Sequence, residues 1–128
     1  AITWTFDPLV RRNAWFNMVK LGASVTNYYQ NFYGELDDGI NAGEQSDRVL
    51  VRWQVLATDE PQSCEVVAER EGDIVIATPN DIELIRKTNK AEAQTWRARQ
   101  RAAFEEAMSN GCSVRGLNAE YSYVLSRS

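Results

Sequence analysis

The sequence contains no histidine. A Ser–His or Cys–His nucleophile pair therefore cannot be assembled, and neither can the common histidine-containing zinc sites. Any acid–base chemistry falls to carboxylates, tyrosines, lysines, thiols or groups of the substrate itself. Only two cysteines occur, Cys64 and Cys112, and they have no metal-ligand spacing, so no metal site is expected. They read as reduced thiols of a cytoplasmic protein, with a single disulfide as the alternative. No apolar run approaches the roughly twenty residues needed to cross a bilayer, so no membrane contact is expected. The first residues lack the basic start and apolar core of a secretory signal. Basic excess is missing too: the net charge of −4 argues against a general nucleic-acid binder.

What is present suits a globular protein. The 128 residues fit one domain, or a compact core with an appendage. The opening stretch, ITWTFDPLVRRNAWFNMVKLGA, organises the rest. A β-branched and aromatic run, residues 2–6, ends at Asp7-Pro8, and an amphipathic segment follows. Asp7 has the chemistry of an N-cap and Pro8 suits the first helical position. Gly22, after Lys20, is placed to end the helix. Within it, Ala14, Trp15, Met18, Val19 and Gly22 follow the three-and-four spacing of a buried stripe. Asn13 and Asn17 lie one turn apart on another face, offering amides to an amide-rich ligand or a strand edge. The plainer reading of that face is exposed and polar.

Further on, SVTNYY reads as a strand. The glycines at 34, 39 and 43 lack the Lys-Ser/Thr of a phosphate loop, and Asp37-Asp38-Gly39 lacks calcium-loop spacing. Residues 49–55 alternate, with Val49, Val51, Trp53 and Val55 on one face. Residues 58–63 read as a linker. Residues 64–70 and 73–77 suggest a hairpin around Glu71-Gly72. Thr78-Pro79-Asn80-Asp81 looks like a helix start, with Ile82 and Ile85 inward. Asn89 should cap a longer helix reaching about Asn110, with Ala93, Trp96, Ala103, Phe104, Ala107 and Met108 as its stripe. Arg97, Arg99 and Arg101 make that helix locally basic, and Glu92, Glu105 and Glu106 are the expected partners, with a substrate phosphate as the alternative. Strands around 113–115 and 121–125 close the chain.

The opening stretch, with Ala14 and Leu21-Gly22 at their places, resembles the strand–helix motif late in the GNAT acetyltransferase fold. Together with NFYGELDDGINAG and SDRVLVRW, it is similar to a subgroup of GNAT-superfamily acetyltransferases of undetermined substrate. The resemblance continues through Thr78-Pro79-Asn80-Asp81-Ile82 and the Trp96-Arg97 helix. It implies an α/β (α+β) fold. Residues 1–57 would be the C-terminal portion of a GNAT-like mixed sheet, in the order strand, helix, strand, strand. Residues 58–63 would link it to a small α/β extension, 64–128.

The activity implied is N-acetyl transfer from acetyl-CoA to an unidentified amine, small molecule or peptide. In that fold two parallel strands splay apart around the pantetheine arm, and residues 2–6 would be the second of them. The preceding strand and its Gln/Arg-x-x-Gly-x-Gly/Ala pyrophosphate loop have no counterpart in the sequence. The chain therefore reads as a fragment or processed product, inactive by itself, that pairs with the missing N-terminal half or forms a homo-oligomer. The family's general-acid tyrosine falls on Met18, which has no proton to donate, and its early helical asparagine falls on Arg11. Asn13 and Asn17 are then candidates for contacting pantetheine or the acceptor, and Tyr33, Asp47 and Arg48 are candidates for catalysis. A competing reading is a non-catalytic assembly module pairing through its exposed N-terminal strand.

Overall fold

A computed structural model of the chain describes residues 2–30, 47–53 and 66–127. The fold is α+β, with two small sheets, both antiparallel. In the first sheet, β3 (Arg48–Trp53) lies between β1 (Ile2–Phe6) and β2 (Ser24–Tyr29). Its pairing sets Phe6 opposite Val49 and Trp4 opposite Val51, so the alternation seen in the sequence builds one apolar face. Val49 and Val51 are fully buried on it, while Thr3 and Arg52 are exposed on the other. The parallel pairing of a mixed sheet does not occur among the described residues.

The helix after β1 starts later than its capping residues suggest. Asp7, Pro8 and Leu9 form a turn, with the Val10 N–H donating to the Asp7 carbonyl at 3.1 Å and the Leu9 N–H to the Asp7 carboxylate at 3.0 Å. Only then does α1 (Arg11–Ala14) begin, and no side chain caps it. It runs directly into a π-helical turn, Trp15–Lys20, whose wider spacing shows in the Leu21 N–H bonding the Phe16 carbonyl. Gly22, at φ +71, ends it in the left-handed conformation. Ala14, Met18 and Val19 face the core as their spacing predicts.

The second sheet places β6 (Tyr123–Arg127) between β4 (Ile74–Ile76) and β5 (Cys112–Leu117). The expected hairpin around Glu71-Gly72 is not formed: β4 pairs with β6, and residues 66–70 are not a strand. Val67 instead sends its N–H to the Leu117 carbonyl and lies over Gly116, where a side chain would crowd it.

Two helices connect β4 to β5. The first, α2 (Ile82–Thr88), is capped by Asp81, which accepts from the Leu84 N–H. It begins beyond Thr78, whose hydroxyl serves elsewhere. The second, α3 (Lys90–Ser109), is capped by Asn89 as expected and ends at Asn110-Gly111, with Gly111 at φ +86. No helix among the described residues is long and apolar enough to cross a membrane.

One hydrophobic cluster joins the two sheets. Phe6, Val25, Val49 and Val51 from the first meet Ile76, Leu117, Tyr123 and Leu125 from the second, with Phe104 of α3 between them. Phe104 stacks on Tyr28, ring centroids 5.1 Å apart, and meets Tyr123 edge-on at 5.2 Å. A smaller cluster of Leu9, Val10, Ile82 and Ala93 pins the turn after β1 to α2 and α3.

Candidate functional site

The stripe of α3 that faces the core is partly polar. Arg97, Gln100, Arg101 and Phe104 fall at helical spacing on one face, so the two arginines point inward, away from the exposed Glu105 and Glu106. Their partners are distant aspartates rather than the glutamates of the helix. Arg97, 4% exposed, holds Asp7 at 2.9 Å, and Arg86 of α2 reaches the same carboxylate oxygen at 2.6 Å. Burial pushes the Asp7 carboxyl up, but the charge and hydrogen bond of Arg97, then Arg86 and the Leu9 N–H, outweigh it and hold the pKa below 3.8. Beside it, Gln100 Nε2 and the Tyr123 hydroxyl both donate to the Pro8 carbonyl. The opening turn is thus clamped from two sides.

Asp47, fully buried just before β3, accepts from Arg101 through both carboxylate oxygens and from the Tyr28 hydroxyl at 2.5 Å. Burial, then the bond to Asp47 and its charge, push the Tyr28 pKa far above 10. Tyr28 therefore keeps its proton throughout the physiological range, with that proton donated to Asp47. Asp47, a catalytic candidate from the sequence, occupies a closed network with this tyrosine and arginine. Arg48 is half-buried at the head of β3. Tyr33 lies outside the described residues.

The asparagine pair is not the exposed polar face expected. Asn17 is buried at 5% exposure, accepts from Trp4 Nε1 at 2.7 Å and donates to the Asn13 carbonyl at 2.7 Å. The oxygen of its amide ties the helix to β1, while the nitrogen bonds back along the helix. Trp53 adds a second tie, donating to the Leu21 carbonyl at 2.9 Å. Asn13 is half-exposed, and its carboxamide makes no hydrogen bond among the described residues. No strand among the described residues pairs with the outer edge of β1, and Ile2 is 49% exposed there.

A cleft of about 430 Å³ opens at the start of α1, lined by Arg11, Arg12, Trp15, Asn80 and Tyr121. Its floor is built from segments far apart in sequence. Arg11 donates from Nε to the Thr78 hydroxyl at 2.9 Å, and from its other nitrogens to the Thr78 carbonyl and Asn80 Oδ1. Thr78 in turn donates to the Tyr121 carbonyl at 2.7 Å. The Tyr121 ring lies beneath the Arg11 guanidinium at 5.2 Å and beside Trp15 at 5.2 Å. Tyr121 holds φ +63, the one described residue other than glycine at positive φ, a conformation costing about 1–3 kcal/mol unless its surroundings impose it.

Sequence reasoning noted Arg11 and missed its role. Nothing in local spacing places Thr78 and Tyr121 beside it. No cluster of acidic or cysteine side chains that could hold a metal ion occurs among the described residues. Compared with protein-family models, curated proteins and solved structures, the chain has no match in any of the three.

Proposed function

We propose that this chain is the C-terminal part of a GNAT-type N-acetyltransferase acting in the cytoplasm. Acetyl-CoA would supply the acetyl thioester that an acceptor amine attacks directly. The observation carrying this reading is the strand order β1-β3-β2, in which the outer edge of β1 is unpaired among the described residues. Alternate residues of such an edge point their N–H and C=O groups outward. That row of donors and acceptors suits the amides of a pantetheine arm. The helix beside it is fixed to β1 through Trp4 and Asn17, and it offers the uncommitted carboxamide of Asn13. Asn17 would have to surrender an existing bond to take part, so Asn13 is the stronger contact of the two. In this reading the pyrophosphate loop, and with it turnover, belongs to a preceding segment, and the general acid is not Met18.

Acetyl-CoA added to the full-length protein carrying these residues should raise its melting temperature and slow amide exchange across residues 2–6. Unchanged exchange on that strand would remove the reading. The same edge favours the second reading, an assembly module that adds a strand from another chain. Protection of residues 2–6 that grows with protein concentration, without acetyl-CoA, is the result that would select it.

A further inference from the structure

We infer that the cleft between α1 and the β5–β6 turn is a binding site for a small flat-ringed anion, a ring carrying one carboxylate or phosphate group. Three observations carry this. The first is charge. Arg11 is half-buried, and all its hydrogen bonds among the described residues go to neutral oxygens, those of Thr78 and Asn80. Its positive charge stands over an aromatic ring with no carboxylate bonded to it. An anion in the cleft would supply the missing countercharge through charge-assisted hydrogen bonds.

The second is preorganisation. Three contacts hold the guanidinium in place before any ligand arrives, so little side-chain freedom remains to be lost on binding. Arg12 adds a movable cation across the cleft. Its partner, Glu83 at 2.5 Å, is itself 44% exposed, and exposed pairs of this kind exchange readily for a better acceptor. Asp81 and Glu83 line the adjoining hollow, which limits the ligand to a single anionic group.

The third is the aromatic wall. Trp15 and Tyr121 line the cleft with tilted rings, and Tyr121 stands at positive φ with its N–H bonded to the Asn118 carbonyl and its carbonyl accepting from Thr78. The turn could place a glycine there without strain. Holding a tyrosine instead puts a ring under Arg11 and against the space a ligand ring would fill. Residues in such conformations concentrate at ligand sites.

The site does not rest on the acyltransferase reading, since it lies on Arg11 and Tyr121 rather than on the β1 edge. Calorimetric titration with phenylacetate and with phenyl phosphate tests it and distinguishes the two anions. Benzyl alcohol supplies the ring without charge, and acetate and inorganic phosphate the charge without a ring. Saturable binding of at least one ringed anion is expected, about tenfold weaker in Arg11→Gln and in Tyr121→Gly. Tyr121→Gly relieves the positive φ, so its melting temperature should hold or rise while binding falls. The proposal is overturned if neither ringed anion binds, if benzyl alcohol or the ringless anions bind as tightly, or if both variants bind like the wild type.

Discussion

Asp7 is the side chain on which the opening of the chain depends. Its carboxylate faces two arginines from two helices, and Arg97 is almost fully enclosed. Replacing Asp7 by Asn keeps the shape and removes the negative charge that the buried Arg97 shares with Arg86. Urea unfolding should then show a loss of about 3–5 kcal/mol. Arg97→Met, which removes the buried charge itself, should cost less. Neither role was legible in the sequence. Asp7 has the chemistry of a helix cap, and Arg97 and Arg101 sit near glutamates at helical spacing. Two sets of partners satisfied the same local pattern, and only tertiary burial chose between them. Val49 and Val51 were legible because alternation alone fixes which face of a strand is buried.

At the scale of elements, the caps divide according to competition for the same oxygen. Asn89 behaves as its sequence predicts: its exposed carboxamide accepts from the Glu92 N–H. Thr78 had equal credentials, but Arg11 and the Tyr121 carbonyl claim its hydroxyl, and the capping role passes to Asp81. Asp81→Ala and Asn89→Ala should each lower stability by about 1 kcal/mol in denaturant unfolding. Thr78→Ala should instead loosen the Arg11 cleft, a contact that no helix-capping rule anticipates. The π turn at Trp15–Lys20 was equally hidden. The stripe of Ala14, Met18 and Val19 reads as an ordinary amphipathic helix, and one wider turn keeps all three facing inward.

For the whole molecule, acid should be the sensitive variable. Asp73 accepts from Ser126, the Arg70 N–H and Arg115, bonds that lower its pKa from 3.8 to about 2, and Asp7 is lowered as well. Both folded values lie below the unfolded ones. Their stabilisation is therefore complete above the ordinary carboxylate pKa and is lost as pH falls through the folded values. Melting temperature should stay flat from about pH 7 to 5 and fall between about pH 4 and 2. Asp7→Asn should blunt that fall. The same aspartate also sets an order of events in time. Asp7 and Arg97 are separated by 90 positions, and the Pro8 carbonyl waits for Tyr123 from further still. On a ribosome, the first strand and turn emerge long before the side chains that clamp them. Contacts of such long range close slowly, and the Asp7 carboxylate and Pro8 carbonyl must wait for these late partners. The clamp on the opening turn thus forms only once α3 and β6 are made, and slowing synthesis ahead of α3 should increase capture of the protein by chaperones.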